Sequence, residues 1–215
     1  MNFTDVFDYA PVLAKGIGIT VLLTLVGGVA GIAVGIAGAW ARTSRHRWLG
    51  RLVGVYVELI RNTPFLVQLF FIFFGLPSIG VKLDELTAAM LAMIVNLGAY
   101  GTEIIRAGIQ AVPRGQSEAG LSLAMSRLQV FRHVVLKPAL RKIWPALSSQ
   151  LVIVMFGSAV CSQIATEELT FAANFIQSRN FRAFETYIVA TVLYLLLALA
   201  LRRLMDLIGN RYVAR

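Results

Sequence analysis

The chain has 215 residues, of which 58% are hydrophobic and only 14% charged, with a mean hydropathy of +0.74. Soluble domains carry roughly a quarter charged residues, so the composition excludes one and points to a single polytopic membrane domain over residues 1–215. The formal charge of +9 raises nucleic acid as a partner, but the basic residues are spread between apolar segments rather than gathered in one run.

Those apolar segments match the ~20 residues an α-helix needs to cross the ~30 Å hydrocarbon layer. Lipid offers the backbone no hydrogen-bond partners, so such segments are helices or a closed barrel. The alternation of a barrel strand is absent, and an all-α integral membrane fold of five spans is predicted: about Val12–Ala41, Leu52–Leu76, Leu86–Val112, Ile143–Ile164 and Phe184–Leu207. Ahead of the first span stand Asp5 and Asp8, with no basic segment of the kind a cleaved secretory signal carries. The first span is therefore expected to serve as an uncleaved anchor.

Lys and Arg set the expected orientation. Arg42, Arg45, Arg47 and Arg51 lie between spans one and two, and Arg106, Arg114, Arg127, Arg132, Lys137, Arg141 and Lys142 between or at the ends of spans three and four. Arg202, Arg203, Arg211 and Arg215 lie in the tail. All of these fall on one side of a five-span chain, against Lys15, Lys82, Arg179 and Arg182 on the other. The positive-inside rule places the N-terminus in the periplasm and the C-terminus in the cytoplasm. Topology then explains the net charge, and no nucleic acid is needed.

Span one carries Gly27, Gly31 and Gly35, each four residues apart, with Gly28 and Gly38 nearby. Small residues at this spacing let two helix backbones approach closely in lipid, either between subunits or within the chain. In span two, Glu58, Arg61 and Asn62 share one helical face and can pair, and Pro64 breaks or bends the helix after them. The polar segment is either a broken span facing protein or a wet cavity, or a short surface helix followed by the true span from Phe65 to Leu76. In span three, Asn96, Tyr100 and Glu103 form one stripe. Glu103 can pair with Arg106, whereas Asn96 has no local partner and is the better cavity candidate.

The segment from Val112 to Lys142 holds two predicted short helices. Pro113, Arg114 and Gly115 end span three, and Ser117 reads as an N-cap with Glu118 and Ala119 in the first turn. Ser126 and Gln129 form a capping-box pattern for a second helix, about Arg127–Leu136, which Pro138 ends or bends. Gly120, Ser122 and Ala124 keep the junction small. Such a segment is either an ordinary basic loop at the membrane surface or a compact docking knob, and the paired caps favour the knob. Cys161, the single cysteine, sits in an apolar run and reads as packing.

Gln116-Ser117-Glu118-Ala119-Gly120, followed by Ala124-Met125-Ser126, resembles the Glu-Ala-Ala signature of ATP-binding-cassette importer permeases. It departs at Gly120 (for the second Ala), at Ala124 (for Gly) and at Lys137-Pro138, where the proline is shifted by one. Tyr56 to Pro64, Gln68-Leu69-Phe70-Phe71 and Phe74-Gly75-Leu76-Pro77 resemble the second-span motif of the polar amino-acid permeases of the histidine, glutamine and arginine uptake type. Ala99-Tyr100, Glu103 to Arg106, Val112 to Gln116, Glu168-Leu169-Thr170 and Phe181 to Tyr187 continue the likeness over nearly the whole chain.

The resemblance implies a type I importer-like fold in the bacterial inner membrane, moving polar amino acids by alternating access. Residues 113–142 would be the coupling loop, with Ser117, Glu118, Ala119, Gly120, Ala124, Met125 and Ser126 seated on a cytoplasmic ATPase dimer. A second permease subunit and a periplasmic solute-binding protein are the other implied partners. The chain is expected to be no enzyme and to hold no cofactor, with ATP and Mg bound by the ATPase, since it lacks the Gly-Lys-Ser/Thr phosphate-binding loop. A zwitterionic substrate needs donors and acceptors in a mostly apolar pocket. Asn96, Tyr100, Ser158, Ser162 and Gln163 supply them, unless Ser158 and Ser162 bond only to backbone. Many relatives carry Lys followed by Asp or Asn where this chain has Phe156-Gly157, which favours a heterodimer whose partner permease binds ligand, or else a substrate needing no such charge. A membrane enzyme is disfavoured by the separation of His46 from His133 and by the absence of His-Glu-x-x-His and Gly-x-Ser-x-Gly. A passive channel has no use for a capped knob, and an exporter half would bring more spans or a fused ATPase.

Overall fold

The computed structural model describes residues 3–44 and 46–213. Arg45 and Arg215 of the positively charged side lie outside the described residues, as does the side chain of Arg127. The helices are α1 (Thr4–Phe7), α2 (Ala10–Thr43), α3 (Arg47–Arg61), α4 (Phe65–Ile79), α5 (Glu85–Gln110), α6 (Arg114–Ser122), α7 (Arg127–Val130), α8 (Phe131–Ile164), α9 (Leu169–Asn180) and α10 (Ala183–Val213). Four of them, α2, α5, α8 and α10, are long and apolar enough to cross a membrane, and the spans number five where the bent pair α3–α4 is counted as one broken span. At 34 residues, α2 is about 51 Å long. It exceeds the hydrocarbon layer and extends beyond it or tilts.

The glycines of α2 settle the choice left by their spacing: they form a contact within the chain. Gly27, Gly31, Gly35 and Gly38 meet Met93, Leu97, Gly101 and Thr102 of α5 in the same order, so α2 and α5 run parallel. A Cβ on Gly35 would lie 2.9 Å from the backbone carbon of Gly101, and one on Gly31 would lie 2.7 Å from Leu97 Cβ. Only residues without a side chain permit this approach. α8 runs the other way, meeting α2 at Gly28–Leu151 and α5 at Gly108–Ile143. Leu23, Leu69, Met93, Leu97, Leu151, Val154 and Cys161 form the main core between these helices, and the buried cysteine packs as expected. A consequence of these directions is that the ends of α2, α5 and α10 and the start of α8 lie together, and the arginines and lysines of the basic side gather there.

At the opposite end, Val6 of α1, Leu13 of α2 and Leu169, Ala172 and Ile176 of α9 form a second core. Glu168 is fully buried there. Its carboxylate caps α9 by accepting from the Phe171 amide at 2.8 Å and accepts from Tyr194 Oη at 2.5 Å, tying α9 to α10. Burial raises its carboxyl above the ordinary range, while these hydrogen bonds act to lower it. Lys15 pairs with Glu167, and Arg182 with Asp5 at 2.6 Å.

Pro64 interrupts the second segment, and the chain bends by 110° between α3 and α4. Breaking a helix frees carbonyls that must find partners. The Glu58 carbonyl accepts from Asn62 Nδ2 at 2.8 Å, that of Leu59 from Thr63 Oγ1 at 2.8 Å, and those of Ile60 and Thr63 from Gln68 Nε2 at 2.8 and 2.9 Å. The expected pairing of Glu58 with Arg61 does not form among the described residues. Asn62 turns back onto the backbone instead, and the Arg61 guanidinium lies 5.5 Å from the centre of the Tyr100 ring.

Pro138 does not end the helix after α7. Residues 131–135 widen into a π-turn directly before it, and the chain stays helical from Arg127 to Ile164. A wider turn relieves the missing amide and the ring clash that proline imposes on the preceding turn. The second knob helix is therefore the near end of span four itself.

The seam between α2 and α5 yields a prediction. Gly35→Ala forces backbone against backbone and is expected to destabilise the protein by about 1–3 kcal/mol. Gly18→Ala, with nothing within 4 Å of the new carbon, is expected to leave stability unchanged. Thermal unfolding of the two variants in detergent checks this, and equal midpoints would contradict the seam.

Candidate functional site

Two regions of this bundle carry polar chemistry. The first is built around the α3–α4 bend. Gln68 is buried inside an otherwise apolar helix. Besides closing the Ile60 and Thr63 carbonyls, it accepts from Asn96 Nδ2 at 2.9 Å. Asn96, without a local partner as expected, finds a distant one, 28 residues away where no local pattern reveals it. Tyr100, one turn along α5, faces Arg61 in a cation–π contact. Asn96, Tyr100, Gln68 and Arg61 form one polar strip between α5 and the broken span. The signal for Gln68 was a lone amide four residues after a proline in an apolar run.

The remaining pocket candidates lie at the far end of α8, where residues 158–164 tighten into a 3₁₀ turn. The hydroxyls of Ser158 and Ser162 donate to the carbonyls of Met155 and Ala159 at 2.6 and 2.8 Å. Gln163 is exposed. No hydrogen bond joins these three to Asn96 or Tyr100 among the described residues. The expected Glu103–Arg106 pair forms, and Arg106 Nη1 also donates to Gln110 Oε1 at 2.7 Å.

The second region is the knob, residues 111–130. α6 begins one turn earlier than expected, with Pro113 rather than Ser117 at its N-cap. Proline's fixed φ suits a helix entry, and Gln116 N already bonds to the Pro113 carbonyl at 3.0 Å. Ser117 therefore lies inside the helix. The end of α6 is closed by two bonds, Ala124 N to Leu121 O at 3.0 Å and Met125 N to Gly120 O at 3.2 Å, the two-bond Schellman closure. It requires a left-handed residue, and Ala124 has φ +57, a conformation that glycine adopts freely and alanine at a cost of about 1 kcal/mol.

The capping box that follows is the expected one: Ser126 N donates to Gln129 Oε1 at 2.8 Å and Gln129 N to Ser126 Oγ at 3.3 Å. Gly120 is buried, and a Cβ there would lie 3.0 Å from Val130 Cγ2. Val112, Val130, Val135 and Ala139, with Ile109, Met125 and Val134, form a small core beneath the knob. Glu118 and Ala119 point outward beside Leu121 and Leu123, which are 49% and 78% exposed. The knob is a rigid, packed unit joined to the ends of α5 and α8, with a mixed acidic and apolar tip.

Comparison with known proteins agrees with this geometry. Residues 27–213 match a family model described as the binding-protein-dependent transport system inner membrane component. The chain is similar to the L-cystine transport system permease protein TcyB of Bacillus subtilis, 37% identical over 97% of this chain and 91% of that one. It is also similar to the glutamine transport system permease protein GlnP of Escherichia coli, 34% identical over 93% and 92%. Among solved structures, a crystal structure of an amino acid ABC transporter with histidines superposes with a TM-score of 0.90 at 36% identity, covering 98% of this chain and 99% of that one. The MetNI methionine ABC transporter in an inward-facing conformation shares the fold, with a TM-score of 0.69 at 22% identity over 94% and 95%. The chain belongs to the family of inner-membrane components of binding-protein-dependent transport systems, as a multi-pass permease subunit of an ABC importer.

Proposed function

We propose that this permease carries polar amino acids inward by alternating access, and that its knob is the part an ATPase dimer pushes. Permeases of this family work with an ATPase and a binding protein. In the proposed assembly the ATPase binds ATP and Mg and performs the hydrolysis. The arginines and lysines clustered at the knob end support placing that end in the cytoplasm and the N-terminus in the periplasm. The amino-acid permeases named above support the substrate class.

The observation that carries the mechanism is the continuity of α8. Its 34 residues reach about 51 Å from the knob core to the 3₁₀ turn that holds Ser158, Ser162 and Gln163. A push on Ser117, Glu118, Ala119 and Gly120 reaches Val130 and Val135 through the core beneath them, and passes along α8 to the opposite membrane face. Coupling of this kind needs an element with two arrangements that both sites bias. The α3–α4 bend supplies a second moving part, because the Ile60 and Thr63 carbonyls beside the break are held by the side chain of Gln68. Asn96 and Tyr100 border that bend and are the proposed substrate contacts within this chain. Phe156-Gly157 leaves span four without a charge beyond Lys142, which supports pairing with a second, different permease that carries more of the ligand site.

Three measurements test these readings. Glu118→Lys is expected to lower uptake in proteoliposomes by roughly tenfold, within the 5–150-fold span of a coupling energy, while ATP hydrolysis loses its stimulation by substrate. Unchanged stimulated hydrolysis and uptake would contradict docking at the knob. Gln68→Leu removes the amide bonds to the Ile60 and Thr63 carbonyls and to Asn96, part-buried or exposed groups whose loss together costs about 1–3 kcal/mol. A lower unfolding midpoint with slower uptake is expected, and a midpoint equal to the parent's would show the bend is held by other means. A tag on this chain is expected to recover a second, non-identical permease, whereas recovery of this chain alone would defeat the heterodimer.

A further inference from the structure

α3 presents three distinct faces. One packs on the bundle, with Val57 buried and Tyr56 Oη donating to the Val95 carbonyl of α5 at 2.6 Å. A second is a stripe of Trp48, Leu52, Val55 and Leu59, each 55–63% exposed, at helical spacing. The third lies beside that stripe and carries Arg47 and Arg51, one turn apart. Gly50 and Gly54 border this third face where α3 meets the end of α2. A Cβ on Gly54 would lie 2.7 Å from Arg42 Nη1, so the absent side chain leaves room for that guanidinium beside α3. The result is an open cleft of about 650 Å³ lined by Arg42, His46, Arg47 and Arg51, with Glu58 at its far end two turns beyond Arg51. Among the described residues none of these three arginines has a carboxylate within ion-pair distance. Trp40, 66% exposed in the last turns of α2, and Trp48 flank Arg42 and Arg47 in sequence, and tryptophan is enriched at membrane–water interfaces.

Topology alone asks only that basic residues lie on one side. It does not ask that three guanidinium groups converge on a cleft edged by glycine, next to an exposed apolar stripe. Planar guanidinium groups bind phosphate oxygens through paired hydrogen bonds, and a helix with a basic face beside an apolar one lies in the headgroup layer. We propose that this cleft binds the phosphate headgroup of an anionic phospholipid, whose acyl chains lie along the Trp48–Leu59 stripe. The site is separate from the substrate strip and the knob, and it rests only on the chain's insertion in a bilayer.

The chain, purified in the assembly it forms, can be reconstituted in vesicles of phosphatidylcholine with and without phosphatidylglycerol, and the lipids that remain bound after extraction counted by mass spectrometry. Phosphatidylglycerol is expected to be retained over phosphatidylcholine. The exposed double variant Arg47→Gln, Arg51→Gln is expected to lower that retention roughly 25-fold, at about fivefold per arginine. The control Arg202→Gln, Arg203→Gln, at the same end but outside the cleft, is expected to keep it, and added inorganic phosphate is expected not to displace the lipid. Equal retention in the cleft variant, equal loss in the control, or displacement by inorganic phosphate would overturn the proposal. So would protection of Arg47 and Arg51 from an arginine-modifying reagent by a partner subunit in vesicles of phosphatidylcholine alone. Substrate uptake by the parent protein in the same vesicles reads the importer function independently, so the two proposals fail separately.

Discussion

The backbone-to-backbone seam between α2 and α5 is the constraint on which the rest depends. Gly31 and Gly35 bring the two helices so close that Leu97 and the Gly101 backbone fill the space where side chains would stand. In lipid there is no hydrophobic drive to bring helices together, so such packing contacts must supply the association. Everything that carries chemistry is referred to this pair. α5 presents Asn96 and Tyr100 to the broken span and ends at the knob, while α2 ends at the cleft beside α3. The parallel direction of the pair also explains why α8 must run antiparallel to both, and hence why one end of the bundle collects the knob, the arginines and the tail.

The broken span shows the other half of the construction. A membrane tolerates irregular backbone only where protein or water satisfies it, and here the account closes with short polar side chains. Asn62, Thr63 and Gln68 turn their side chains onto the carbonyls of Glu58, Leu59, Ile60 and Thr63, at the end of the helix that Pro64 interrupts. These bonds come from side chains that can rotate away and re-form, unlike the ladder of a continuous helix. Gln68 also holds Asn96, so any opening of the bend releases a polar group on α5.

Much of this was legible in the sequence because the signals are local. Long apolar runs fixed the spans, Pro64 the bend, and the Ser126–Gln129 pair a capping box that the structure reproduces bond for bond. The glycine spacing announced a close contact, though only the fold shows with which helix. Three features were not legible. The Gln68–Asn96 bond joins residues far apart in sequence, and periodicity carries no information on it. Ser117 looks like a helix cap by residue type, yet Pro113 had already started the helix one turn before. Pro138 reads as a stop or a bend, and the helix runs on through it behind a π-turn that absorbs the defect. Propensity marks what a residue favours alone, and in the last two cases a neighbour had already satisfied the backbone by another route.

These rigidities bear on how the protein can move. Sliding α2 along α5 would drive Met93 or Leu97 into positions where only a glycine fits, so this pair acts as one body during any transport step. Motion is left to parts whose ties are side chains: the α3–α4 bend, and α8 with the knob at its end. Ala124 is placed between these regimes. Its left-handed backbone closes α6 against α7 at a cost glycine would avoid, and strain of this kind persists only where the surroundings over-determine it. The small core of Val112, Val130 and Val135 does so here, keeping the knob a single rigid piece. A push on its tip is then passed to α8 rather than spent in bending the knob itself.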